Sequence, residues 1–173
     1  INESMLQGKK IFTPTLGWSS YAYGFLESPG VEEYVGTDVI PDVCKKTKDL
    51  CSQYNKVKTT IYCKPSEKLL ELKSFRNKYE NYFDVVFFSP PYFKLEQFKS
   101  DHQSTENYTT YDEWLEKYWE PTMKLCNFVL KEKGKLCYII SDYGSQNTGQ
   151  LYELVNDTKK YARKYFDSFK VQS

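Results

Sequence analysis

Histidine and arginine are nearly absent from this chain. His102 is the single histidine, and Arg76 and Arg163 are the only arginines. One histidine in a polar stretch, with five cysteines that form no CxxC pair, argues against a zinc site, and no metal is expected. Two arginines exclude a surface that reads guanine edges through many bidentate guanidinium pairs. A formal net charge of +1 provides no global basic field. No apolar run approaches the ~20 residues of a membrane-spanning helix, so no membrane partner is expected. The cysteines (Cys44, Cys51, Cys63, Cys126 and Cys137) are odd in number, and no signal peptide is visible. They read as reduced, mostly buried thiols of an intracellular protein. Cys63 and Cys137 fall on predicted core strands and read as packing residues.

Aromatic residues are abundant instead, at 17% with 16 tyrosines, which suits both packing and stacking. At 40% hydrophobic and 27% charged, the 173 residues are globular in composition. They suffice for one domain, residues 1–173, and not for two. The chain starts at Ile1 rather than methionine, which reads as a fragment or a processed form.

The hydrophobic pattern switches repeatedly between period two and period 3.6. Strands are predicted at 10–12, 33–38, 57–63, 83–88 and 135–141. Helices are predicted at 18–26, from Pro41 to about Tyr54, over a short apolar set (Leu69, Leu70, Leu72, Phe75), at 111–132 with Gly134 as cap, and at 150–166. Residues 94–110 are polar and aperiodic, longer than an ordinary connection, which suggests function. Five β-α repeats predict an α/β chain with a mostly parallel sheet and helices on both faces. Ligands in such sheets bind beyond the carboxyl ends of the strands, near the point where strand order reverses. Thr13-Pro14, Asp38, Cys63, Ser89 and Ser141-Asp142 would then share one rim.

Individually these rim residues are ambiguous. Thr13-Pro14-Thr15-Leu16-Gly17-Trp18-Ser19-Ser20 has small residues that let backbone N–H groups approach a ligand, or it is a plain turn capped by Ser19 or Ser20. Asp38, about 20 residues beyond that loop, suits a ribose diol or caps the helix at Pro41. Ser66 reads as a helix cap, while Glu67 is open between cap and ligand roles. Asp142 reads as a turn former before Gly144.

The strongest signal is Ser89-Pro90-Pro91-Tyr92 after the apolar run 83–88. Two prolines cannot continue a strand, so the chain leaves the sheet rigidly between a hydroxyl and an aromatic ring. Such a corner can grip an NH2 group through acceptors and cover its plane with the ring. The series resembles the (Asp/Asn/Ser)-Pro-Pro-(Tyr/Phe) motif of the DNA amino-methyltransferases that use S-adenosylmethionine. Leu95-Glu96-Gln97-Phe98, His102-Gln103-Ser104, Tyr111, Trp114-Leu115, Gly17-Trp18 and Tyr34-Val35-Gly36-Thr37-Asp38 are similar to a branch of that family in phages and large DNA viruses. The likeness covers about 11–142. It departs from the family at Thr13, Ser19 and Ser20, where an acid and glycines are usual, and two closing strands normally follow the last helix.

The resemblance implies a Rossmann-like methyltransferase fold and S-adenosylmethionine as cofactor. It implies methyl transfer to N4 of cytosine, ahead of N6 of adenine, in flipped DNA. Ser89, Pro90, Pro91 and Tyr92 would be catalytic. Thr13, Pro14, Gly17, Trp18, Asp38, Ser66 and Glu67 would face the cofactor, and Phe93, Lys94, Gln103 and Ser104 the substrate. DNA is the expected partner, with a further subunit or segment supplying target recognition. Rival readings are an amino-methyltransferase for RNA or protein glutamine, and a non-catalytic binding or assembly domain.

Overall fold

In the computed structural model the described residues are 2–17, 20–91, 110–144 and 151–170. A π-helical turn, Asn2–Leu6, precedes β1 (Lys10–Thr13) and α1 (Ser20–Leu26). Then come β2 (Glu33–Asp38), α2 (Pro41–Cys51), β3 (Lys58–Cys63), a 3-10 segment (Ser66–Glu71) and α3 (Lys73–Tyr79). β4 (Phe83–Phe88) is followed by α4 (Tyr111–Trp114), a π-helical turn (Leu115–Trp119) and α5 (Glu120–Val129). β5 (Leu130–Tyr138), β6 (Tyr143–Gly144), β7 (Leu151–Tyr152) and α6 (Leu154–Ala162) complete it.

Five strands pair in the order β3-β2-β1-β4-β5, every pairing parallel. From β1 the chain winds outward through β2 and β3, then returns to place β4 on the other side of β1. Strand order therefore reverses between β1 and β4, which opens a crevice beyond their carboxyl ends. β6 and β7 form a separate antiparallel pair.

The sheet is covered on both faces, and the alternation of strand side chains shows how. Ile11, Tyr34, Val85 and Phe87 pack with Ala22, Phe25, Val43 and Cys51 of α1 and α2. Their neighbours Phe12, Val35, Val86 and Phe88 pack on the opposite face with Phe75, Trp119, Met123 and Leu154. Strands buried on both faces need continuous apolar runs, and β4 supplies one. The π-turn widens the helix locally, yet Trp114, Leu115, Tyr118 and Trp119 all stay buried. Trp119 Nε1 donates to the Thr158 carbonyl at 3.0 Å, which fixes α6 to this helix. No helix among the described residues is long and apolar enough to cross a membrane.

Several expectations need correction. The long helix stops at Val129, not near residue 132, and Gly134 does not cap it but lies within β5. Leu130 is drawn into the core opposite Phe83, and the pairing then skips to Val85 with Lys135. The left-handed residue in that excursion is Lys133, at φ 67°. β5 thus begins and ends earlier than its apolar residues suggest. The final helix begins at Leu154, because residues 151–152 are taken by β7. Cys63 is exposed rather than packed, since β3 is the sheet edge.

At the amino end of the sheet, Asp84 ties β4 to both neighbours. Its Oδ2 accepts the N–H groups of Lys9 (3.1 Å) and Lys10 (2.9 Å), and its Oδ1 meets Lys131 Nζ at 3.1 Å. Burial alone would raise its carboxyl, but these donors outweigh burial and hold it below the ordinary value of 3.8. A carboxylate depressed in the fold stabilises above its unfolded pKa and loses that contribution as pH falls through the folded value. Asp84→Asn should therefore flatten the acid limb of a melting temperature–pH profile below about pH 4. An unchanged acid limb would remove Asp84 from the acid response.

Candidate active site

The rim is assembled from strand ends that the parallel pairing brings side by side. Thr13 closes β1, fully buried, with its hydroxyl close enough to that of Tyr34 to influence it. Pro14 is buried behind it. The chain then turns back over the end of β2. The Leu16 amide donates to the Thr37 carbonyl at 3.1 Å, and the Leu16 side chain is fully buried. That position exists because residue 36 is glycine: a Cβ there would lie 2.2 Å from Leu16 Cδ2. Gly17 completes the turn at φ 61°, a left-handed conformation favoured by glycine.

Asp38 ends β2 and is only 7% exposed. Its Oδ1 accepts the Ile40 N–H at 3.0 Å. Burial pushes its carboxyl above the ordinary range, and the amides of Ile40, Val39, Leu16 and Gly17 pull it partly back. One carboxylate thus gathers the loop after β1 and the turn after β2. Beyond β3, the Thr37 hydroxyl donates to the Lys64 carbonyl at 2.6 Å. Ser66 is buried, and its hydroxyl donates to Glu67 Oε2 at 3.5 Å. No side-chain capping bond forms at the start of the 3-10 segment, so the reading of Ser66 as a cap is wrong. The segment begins at Ser66 itself, and Pro65 occupies the cap position.

The π-turn delivers one further group. The Tyr118 hydroxyl lies 3.3 Å from Thr15 Oγ1. Burial raises the phenol, the Thr15 contact opposes this, and the charges of Glu67 and Asp38 add to it. Tyr118, Thr15, Asp38 and Glu67 therefore share one electrostatic environment. From sequence, Tyr118 stands only within the helix expected over 111–132 and Thr15 only within the small-residue loop after β1. The Tyr118 hydroxyl among the apolar residues of that helix was the available signal.

On the other side of the switch point, Ser89 leaves β4. The Phe88 carbonyl accepts the Ile139 N–H at 3.0 Å, and the Ser89 hydroxyl donates to the Ile139 carbonyl at 3.2 Å. A hydroxyl has one proton and two lone pairs, so this donation leaves Ser89 Oγ able to accept. Pro90 is buried and Pro91 half-buried, which anchors the corner. Behind it, Phe88 stacks on Trp119 with centroids 5.9 Å apart, and Trp119 meets Tyr138 edge-on at 5.0 Å. Asp142 lies past β5, where its Oδ1 accepts the Val155 N–H at 2.8 Å and fastens the first turn of α6. Tyr92, Trp18, Phe93, Lys94, Gln103 and Ser104 lie outside the described residues. Among the described residues, no three His, Cys, Asp or Glu side chains are grouped to hold a metal ion.

No protein-family model matches this chain, and no curated protein matches it. Solved structures do. The PH0226 protein of Pyrococcus horikoshii superposes with a TM-score of 0.57 at 16% identity, over 95% of this chain and 76% of its own. A provisionally assigned sarcosine dimethylglycine methyltransferase from Galdieria sulphuraria gives 0.55 at 12% identity, over 90% and 53%. A provisionally assigned methyltransferase from Bacillus halodurans gives 0.51 at 15% identity, over 84% and 50%. The chain thus spans about half the length of the last two. The fold is Rossmann-like and of the methyltransferase type.

Gly36→Ala should destabilise the chain by about 1–3 kcal/mol, because Leu16 must leave its seat on β2. Denaturant unfolding would measure this, and a change below about 0.5 kcal/mol would mean that Leu16 relocates freely.

Proposed function

We propose that this chain is an S-adenosylmethionine-dependent methyltransferase acting on the exocyclic amino group of a flipped DNA base, N4 of cytosine ahead of N6 of adenine. The observation that carries the reading is the Ser89-Pro90-Pro91 corner at the end of β4. It sits at the reversal of strand order, with the serine proton directed to Ile139. Two of the similar folds bear methyltransferase names, which agrees with it.

The residues beside that corner fit the cofactor. Asp38 presents a desolvated carboxylate at the end of β2, where a diol can donate to it. Gly17 and the small loop around it leave backbone room, and Glu67 adds a second acid near a ligand that carries positive charge. When bound, the cofactor supplies a methyl group on a sulfonium, which is already electrophilic. The chain's task is to prepare the nucleophile. The amine lone pair of adenine or cytosine is delocalised into the ring. Ser89 Oγ and the Pro90 carbonyl accept the two N–H protons, which favours a more tetrahedral nitrogen with its lone pair turned outward. Acceptors that fit this geometry better than the planar ground state lower the barrier. Extrusion of the base costs a few kcal/mol. Stacking on Tyr92 returns ~1–3 kcal/mol. Phe93, Lys94, Gln103 and Ser104 belong to the stretch that contacts the substrate in this reading.

One observation favours a second reading, a non-catalytic binding or assembly domain. Asp38 already accepts the Ile40 amide and lies under the influence of the loop amides, and Thr13 and Ser20 stand where the resembled family carries an acid and a glycine. Tritiated methyl transfer to defined oligonucleotides, with nucleoside analysis of the product, separates the two. Labelled N4-methylcytosine or N6-methyladenine supports the proposal. No label, together with no calorimetric binding of S-adenosylmethionine by the folded chain, overturns it.

Ser89→Ala should lower the single-turnover rate roughly tenfold, the loss of about one hydrogen bond in the transition state. An unchanged rate would remove Ser89 from the mechanism. Asp38→Asn should keep the melting temperature, since burial already disfavours the charge, and weaken S-adenosylmethionine roughly tenfold. Loss of cofactor and fold together would make Asp38 structural only.

A further inference from the structure

Two thiols meet at the edge of this rim. In the parallel register Asp38 pairs with Cys63. Cys44, in the first turn of α2, directs its Sγ to the Asp38 carbonyl at 3.4 Å and lies 3.8 Å from the Tyr62 carbonyl. Its sulfur therefore lies against the peptide that joins Tyr62 to Cys63. Strand alternation puts Cys63 on the same face as Ile61, which packs in the cluster containing Val43 and Cys51 of α2. Both sulfurs therefore occupy the α2 side of the sheet, with the Cys44 sulfur against the backbone that carries Cys63. Cys44 is buried and Cys63 is exposed, so reagents reach the pair from one side.

We infer that Cys44 and Cys63 form a dithiol modification site that small-molecule disulfides close to an intramolecular disulfide beside Asp38. The exposed Cys63 reacts first. Its thiolate attacks one sulfur of the reagent, the reagent's S–S bond breaks, and one thiol departs, leaving a mixed disulfide. The Cys44 thiolate then attacks the Cys63 sulfur and expels the second thiol. Two protein thiols lose two protons and two electrons, and one disulfide is reduced to two thiols. This order follows from access and from acidity: burial, helped by Cys63, pushes the Cys44 thiol up to about 12, so it is the slower, resolving partner. Closure withdraws the S–H donor from the Asp38 carbonyl and ties the first turn of α2 to the end of β3. This lowers affinity for S-adenosylmethionine, a consequence that rests on the proposed function, whereas the disulfide does not.

The test incubates the whole chain with oxidised glutathione and maps tryptic peptides without reduction. Peptides 11–45 and 59–68, which carry only Cys44 and only Cys63, should be recovered linked, with a mass two hydrogens below their sum. Calorimetry on the same sample should show several-fold weaker S-adenosylmethionine binding, restored by dithiothreitol. Cys63→Ser and Cys44→Ala should each abolish the link and the loss; the exposed Cys63 variant keeps the test valid if the buried one fails to fold. A glutathione adduct that persists on Cys63, or no oxidation, overturns the site. A link without change in affinity overturns its coupling to Asp38. If the reduced protein binds no S-adenosylmethionine, the proposed function falls, and the peptide map still decides the dithiol.

Discussion

The rim of this molecule depends on one missing side chain. Gly36 leaves a bare stretch of β2 on which Leu16 rests, and a methyl group there would meet Leu16 at 2.2 Å. With Leu16 seated, its amide bonds to Thr37, Gly17 turns the chain, and the Asp38 carboxylate comes under the influence of the Leu16 and Gly17 amides. Tyr118 reaches the same loop from the opposite side of the sheet order through Thr15. The loop is therefore held from two directions, by a strand it follows and by a helix more than a hundred residues later.

The β4 side is built differently. Its corner is stiff because two prolines follow the strand and because Phe88 and Ser89 both bond to Ile139. Phe88, Trp119 and Tyr138 form the aromatic backing. A hydroxyl that has placed its proton inward needs no reorganisation before it accepts from an incoming donor. One half of the crevice is thus shaped by glycine and amide geometry, the other by proline and aromatic packing.

The parallel sheet was legible because β4 is a short, nearly continuous apolar run and the other strands are set off from it by helical periods, and the position of Ser89 followed from that alternation. Gly134 misled because local sequence made it a helix stop, while the core demanded Leu130 opposite Phe83; long-range pairing overrode the local rule. Cys63 misled because composition does not reveal which strand is the edge. The approach of the Leu16 and Gly17 amides to Asp38 could not be read from spacing, since it depends on a turn geometry that only the folded loop defines. Ser66 looked like a cap by residue type, but the chain enters its 3-10 turn one residue sooner.

The central pairing has a consequence for how the chain is made. β1 meets β2 about two dozen residues downstream, yet its other edge waits for Val85, paired with Ile11 across 74 positions. Long-range closure is slow compared with local contact. Any β1–β2–β3 half-sheet formed during synthesis has the outer edge of β1 unpaired until β4 emerges. That interval is when a chaperone or a neighbouring nascent chain competes with β4 for the same backbone groups.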